Sequence, residues 1–180
     1  MSSNSWNQTL TRVYTDGTAL TNTTTATSIL PAAEKFVLPA NLMFPGTRFK
    51  VHASGKISTA ASTPGTLTLD LRFGSVIVFN GGASGTLATS ASNVTWVLDL
   101  DLVCRSYGAS TSATMMGTGV LTTAALSTST PILLLPATSP AAGTGFDSTA
   151  SQSVDLFATW SVASASNTIT LNDFYVDLKN

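Results

Sequence analysis

The chain has 180 residues, of which 9% are charged, against about 25% in an ordinary soluble domain. Its net charge is −1 and it contains no basic run, which excludes the electrostatic footprint of a nucleic-acid binder. A lone cysteine, Cys104, excludes an internal disulfide, and apolar runs such as Ile132 to Pro136 are too short to span a membrane.

Serine and threonine fill about 30% of the positions, well above ordinary usage, and 43% of the residues are hydrophobic. With a mean hydropathy of +0.29, the composition reads as one folded domain with a sizeable core rather than a disordered chain. So bland a surface suits a protein partly covered by neighbouring subunits. The opening MSSNSWNQTL has neither a basic region nor an apolar core, so no signal peptide is expected and synthesis in a cytoplasm is.

Residues 1–30 are dominated by Ser, Thr and Asn, broken by Trp6, Leu10, Val13 and Tyr14. Thr9 to Tyr14 reads as a short strand. Leu20 to Ile29 has high β-propensity and little to bury. Two readings stand side by side: an edge strand with a loop, or an arm lying on a neighbouring subunit. Lys35 to Gly46 is apolar but broken by Pro39 and Pro45, with room for one short turn at Leu42 to Phe44.

Thr47 to Ser58 alternates strictly, with Phe49, Val51, Ala53, Gly55 and Ile57 inward and Arg48, Lys50, His52, Ser54 and Lys56 outward. Thr66 to Phe73 repeats the pattern after Thr63-Pro64-Gly65, and the two are expected to pair. Val76 to Phe79 reads as a short strand closed by a turn at Asn80-Gly81-Gly82, with Thr86 to Ala91 as a partner. Asn93 to Arg105 is the longest strand, with Trp96, Leu98, Leu100, Leu102 and Cys104 inward and Asp99, Asp101 and Arg105 outward. Ala113 to Thr122 follows, with Gly117 and Gly119 marking close approach or a bulge. Thr123 to Phe146 reads as a long irregular connection carrying Pro131, Pro136 and Pro140.

The chain closes on an expected β-hairpin. Val154, Leu156, Ala158, Trp160 and Val162 alternate with Asp155, Phe157, Thr159 and Ser161, and Ala163 to Asn167 forms the turn. In Thr168 to Leu178 the parity slips: Ile169 and Leu171 hold one phase, Phe174, Val176 and Leu178 the other. A β-bulge near Asn172-Asp173 returns all five to one face. Eight to ten strands with connections too short for crossover helices predict an all-β, single-domain, jelly-roll-like β-sandwich over residues 31–180, preceded by a polar arm or edge strand over 1–30.

Candidates for chemistry are few. His52 is the one histidine and sits mid-strand among charged neighbours, the place of a solvated or interface residue more than of a catalytic one. Cys104 points inward with Leu100 and Leu102, a structural thiol rather than a reactive one. One Cys and one His offer no zinc-ligand pair. Asp99 and Asp101 share a strand face about 6–7 Å apart by strand rise. That spacing suits a carboxylate pair for glycoside hydrolysis, or more plainly cross-strand ion pairing with Arg48, Lys50, Lys56, Arg72 and Arg105. No Asp-rich calcium loop is present, and neither Gly81-Gly82 nor Gly117-x-Gly119 precedes a helix that could hold phosphate. No catalytic, cofactor or metal residue is therefore assigned. Arg48, Lys50, Asp70, Arg72, Asp99 and Asp101 are expected on a single sheet face.

Four segments taken together carry a resemblance: Thr63 to Gly74 (TPGTLTLDLRFG), Gly143 to Ala150 (GTGFDSTA), Val154 to Ser161 (VDLFATWS) and Ala163 to Ile169 (ASASNTI). From about Pro39 onward the chain resembles small β-rich structural proteins of tailed bacteriophages. The resemblance implies a virion component, jelly-roll-like and trimeric, with no enzymatic activity and no cofactor. The expected role is a capsid decoration protein on the exterior of the head, a homotrimer contacting major capsid protein subunits and neither nucleic acid nor membrane. The alternatives are a tail or fibre module binding a host glycan and a polysaccharide-degrading enzyme. Leu20 to Ile29 and Thr123 to Leu135 carry no charge. They are expected to be covered by other chains, and removal of residues 1–30 is expected to leave the fold intact.

Overall fold

The computed structural model describes residues 7–179. Residues 1–6, with Trp6 and the start of the expected arm, lie outside the described residues. In chain order the strands are β1 (Asn7–Arg12), β2 (Leu20–Thr21), β3 (Thr27–Ser28), β4 (Phe36–Leu38), β5 (Arg48–Ser58), β6 (Leu67–Phe73), β7 (Val76–Ala83), β8 (Val94–Ser106), β9 (Thr114–Thr123), β10 (Ile132–Leu135), β11 (Gln152–Trp160) and β12 (Thr168–Lys179). One turn of 3₁₀ helix, Ala32–Glu34, precedes β4, and the described residues contain no α-helix. The all-β expectation therefore holds. The strands beyond the expected eight to ten are the two- and three-residue pieces of the N-terminal segment.

Every strand pair is antiparallel, in two sheets. The larger runs β1-β12-β5-β8-β9-β10, with β2 also on β12; the smaller runs β3-β11-β6-β7, with β4 also on β11. The alternating apolar residues of both sheets point inward and meet as one core. Trp96, Trp160, Phe49, Phe73, Phe146 and Phe174 are its largest fully buried side chains. Leu69, Leu71, Leu98, Leu100 and Leu156 are buried with them, as the strand phases require.

The phase slip of β12 is a β-bulge. Its register on β5 shifts between Leu171 and Asp173, so Ile169, Leu171, Phe174, Val176 and Leu178 all enter the core. Leu171 faces Gly55 there. A Cβ on Gly55 would collide with the Thr170 carbonyl and come within 3.0 Å of the Trp96 indole nitrogen. The missing side chain lets Trp96 Nε1 donate to Thr170 O at 3.2 Å.

Three expected pairings are corrected. β11 and β12 do not form a hairpin: β11 belongs to the smaller sheet and β12 to the larger, so Ser161 to Asn167 arches between sheets. β5 and β6 are likewise split between sheets; β5 pairs with β12 and β8, and β6 with β11 and β7. Asn80-Gly81-Gly82 is not a turn but the far part of β7, where the pairing with β6 slips; the hairpin turn is at Gly74-Ser75. The physical reason is common to the first two. Alternation states which face of a strand is buried, and an arch between two sheets has the same alternation as a hairpin within one. Thr86 to Ala91 contributes only an isolated bridge, Leu87 to Leu126.

The two open sides of the sandwich are closed by the chain itself. On one side the N-terminal segment zigzags along both edges: β1 and β2 on β12, β3 and β4 on β11. Val13, Leu20, Ile29 and Leu30 from this segment are buried in the core. Ser28 Oγ and Lys35 Nζ both bond Asp155, at 2.7 and 2.6 Å. The expectation that residues 1–30 can be removed without loss of the fold is thereby corrected, because four core side chains lie within them. On the other side the expected irregular connection contains β10 and a closing loop. Ala137 N–H bonds Gly81 O, Thr144 N–H bonds Ile77 O and Gly143 N–H bonds Met115 O, which ties the loop to both sheets.

Candidate functional site

The outer face of the larger sheet carries most of the chain's charged side chains in cross-strand rows. Tyr175, His52, Asp99, Val120 and Leu134 stand opposite one another across β12, β5, β8, β9 and β10. The next row is Asp177, Lys50, Asp101 and Thr118. Such rows follow from antiparallel pairing, because the outward residues of adjacent strands lie within about 4.5–5.5 Å at Cβ.

Within them His52 Nδ1 lies 2.7 Å from Asp99 Oδ1. A carboxylate only accepts, so the imidazole N–H is on Nδ1. Nε2 lies 3.9 Å from Asp173 Oδ2, and the ring stacks on Tyr175 with centroids 4.9 Å apart. Asp101 is held by Arg48 at 3.1 Å, and Asp177 accepts from the Thr9 hydroxyl at 2.7 Å. Lys50 stands between Asp101 and Asp177 yet makes no ion pair among the described residues.

These rows form the floor of a half-open groove of about 700 Å³, and Leu134, Pro136 and Pro140 form its wall. The wall comes from the closing loop. The chain leaves β9 after Leu135 pairs with Gly119 and returns to it where Ala142 bridges Met116, so residues 136–141 bow outward beside Thr118. The hydrogen bonds of Ala137, Gly143 and Thr144 fix the base of the bow, which makes the wall part of the rigid fold. Gly119 is a point of close approach: a Cβ there would meet the Asp99 carbonyl and the Leu100 side chain.

The expected single charged face is corrected. Arg48, Lys50, Asp99 and Asp101 share the outer face of the larger sheet, but Asp70 and Arg72 lie on β6 in the other sheet. There Arg72 pairs with Asp70 and lies 3.9 Å over the Phe157 ring. The Asp70 hydrogen bond holds the Arg72 guanidinium in its charged form, above its already high ordinary value. Asp155, 5% exposed, holds Lys35 and Ser28 on the same sheet. These groups lie outside the lining of the groove on the larger sheet.

The chemical capacity of the groove floor follows from its commitments. Asp99 and Asp101 share a strand face as expected, but Asp99 is engaged by His52 and Asp101 by Arg48. His52 has one nitrogen on a carboxylate and the other turned toward a second carboxylate, where a Ser-His-Asp arrangement requires a hydroxyl. Cys104 is buried, and desolvation pushes its thiol above the ordinary value, which suppresses thiolate reactivity. Among the described residues no group of three or more His, Cys, Asp or Glu could hold a metal ion, and no helix is long and apolar enough to cross a membrane.

Sequence reasoning placed Lys50, His52, Asp99 and Asp101 of the floor outward but missed Thr118, Val120, Asp177, Tyr175 and the wall. The wall is read as a loop because its prolines interrupt every period. Tyr175 follows from the bulge, which turns it outward once Phe174 is inward. No protein-family model matches the chain, and no curated protein sequence matches it.

Proposed function

We propose that this chain is a non-enzymatic structural protein of a bacteriophage virion, a capsid decoration protein that binds the exterior of the head as a homotrimer and is made in the host cytoplasm. The observation that carries this reading is an uncharged flank. The sequence has no charged residue between Arg72 and Asp99, and none between Arg105 and Asp147. The fold gathers β7, β9, β10 and the closing loop, all from those two stretches, on one side of the sandwich.

At the margin of this flank β10 is an edge strand with Ile132 54% and Leu134 72% exposed. Natural monomers guard such edges with lysines, inward charges or covering elements. β10 has only its flanking prolines, Pro131 and Pro136. An uncharged flank with an apolar edge suits burial against sister subunits and shell proteins, where many weak contacts add through multivalency. Bridging several shell subunits would resist outward pressure from packaged DNA.

Particle imaging with the labelled protein tests the reading. Hundreds of copies over the head support it; a handful at the tail tip refutes it. Sedimentation of the purified protein checks the assembly half: a trimer is expected, broken by Leu134→Lys. A monomer at micromolar concentration refutes that half.

A further inference from the structure

The groove on the outer face of the larger sheet has a built polar floor and an apolar wall, and that wall, Leu134, Pro136 and Pro140, belongs to the uncharged flank described above. Its lining carries three carboxylates, Asp99, Asp101 and Asp177, against one lysine, Lys50, with Arg48 paired to Asp101 beside it. A floor on which carboxylates outnumber cations gives no attraction to phosphate or sulfate. It does present acceptors and donors side by side: Asp99 and Asp101 carboxylate oxygens, the unpaired Lys50 ammonium and the Thr118 hydroxyl.

The opposite boundary is apolar. Leu134, Pro136 and Pro140 line it, and Tyr175, propped by its stack on His52, lines the groove at the other end of the row. A ligand matched to both boundaries has hydroxyls on its edges and a C–H surface on its face. A groove of about 700 Å³ lies within the range of small-ligand sites.

We propose that this groove is a binding site for neutral saccharide, taking one or more uncharged sugar residues. Hydroxyls bond Lys50, Asp99 and Asp101, and the sugar's C–H face packs on the Leu134, Pro136 and Pro140 wall. The proposal concerns a face formed within one chain and stands apart from the head location, while its wall lies in the flank assigned to sister subunits.

The test uses the full-length protein on an array of neutral and anionic glycans, with affinities of the bound glycans measured by titration. Thr118→Trp fills the groove from an exposed floor position, and Lys50→Ala removes the free donor. The expected result is binding to neutral glycans, weakened at least tenfold by each substitution, with the unfolding midpoint unchanged. Failure to bind any neutral glycan, binding confined to anionic glycans, or neutral binding that survives Thr118→Trp would each overturn the proposal. Particle imaging is untouched by any of these outcomes, so the two readings fail separately.

Discussion

Asn167 accepts a hydrogen bond from the Ala60 backbone N–H at 2.9 Å through its side-chain carbonyl, although the two residues are 107 positions apart. Its amide group donates to Pro64 O at 2.9 Å and Val162 O at 3.1 Å. The residue is fully buried. It locks the β11–β12 arch to the connection between β5 and β6, two crossings between the sheets that no strand pairing would otherwise fix. Asn167→Ala leaves an amide N–H and two carbonyls without these partners and should cost about 3 kcal/mol. Urea denaturation should show a lower midpoint at unchanged slope; a midpoint equal to that of the unchanged protein would remove the arch lock from the account.

The two core tryptophans should respond differently to loss of the indole nitrogen. Trp96 Nε1 donates to Thr170 O, whereas Trp160 Nε1 is buried with no hydrogen-bond partner among the described residues. Trp96→Phe is therefore expected to destabilise more than Trp160→Phe, by about 1 kcal/mol or more. Trp160→Ala, which deletes the whole ring, should cost about 3–5 kcal/mol. Equal midpoints for the two Phe variants would count against the difference in hydrogen bonding.

Charge removal should separate the two sheets. Asp155 is buried and holds both Lys35 and Ser28, so Asp155→Ala leaves a largely buried ammonium without its partner and should cost about 2–4 kcal/mol. The Asp99 side chain is well exposed beside His52, and Asp99→Ala should cost under about 1 kcal/mol. Thermal melts of the two variants under identical buffer suffice, and a larger loss at Asp99 would contradict the assignment of faces.

Acid should loosen the loops before the sheets. Hydrogen bonds from the Thr149 hydroxyl lower the Asp147 pKa, with further help from nearby backbone N–H groups, and the Thr15 hydroxyl with nearby backbone N–H groups lowers that of Glu34. A carboxyl group whose folded pKa is lowered adds stability that is present above its unfolded value and lost as pH falls through the folded one. Stability should therefore decline below the ordinary carboxylate range. Glu34→Gln and Asp147→Asn should each flatten that decline, read as the melting midpoint against pH from 7 to 3. A decline of the same steepness in both variants would assign it to other groups.

Cys104 supplies a check on the native core. Its thiol is buried and shifted upward by desolvation. It should be silent toward a thiol reagent at pH 8 in the native protein and react as a single group once the chain is unfolded. Rapid native labelling would place an opening motion in β8.

The sequence by itself determined the fold class, the inward residues of β5, β6, β8, β11 and β12 and the bulge at Asn172, because a period of two names the buried face and a slip in that period has one economical repair. It also placed Arg48, Lys50, His52, Asp99 and Asp101 outward on their strands. It did not determine which strands pair. The turn-like stretch Ser161 to Asn167 serves an arch, and only the position of Asn167 against Ala60 and Pro64 reveals it. The same limit explains Arg72, whose outward phase is right and whose sheet is the other one. The groove lay further out of reach: its wall is a proline-broken loop with no period, brought beside Lys50 and Asp99 by backbone hydrogen bonds to strands of both sheets. Local alternation is set by burial along one strand, whereas partners and walls are set by contacts between residues far apart in the chain, and those contacts exist only once the sheets have packed.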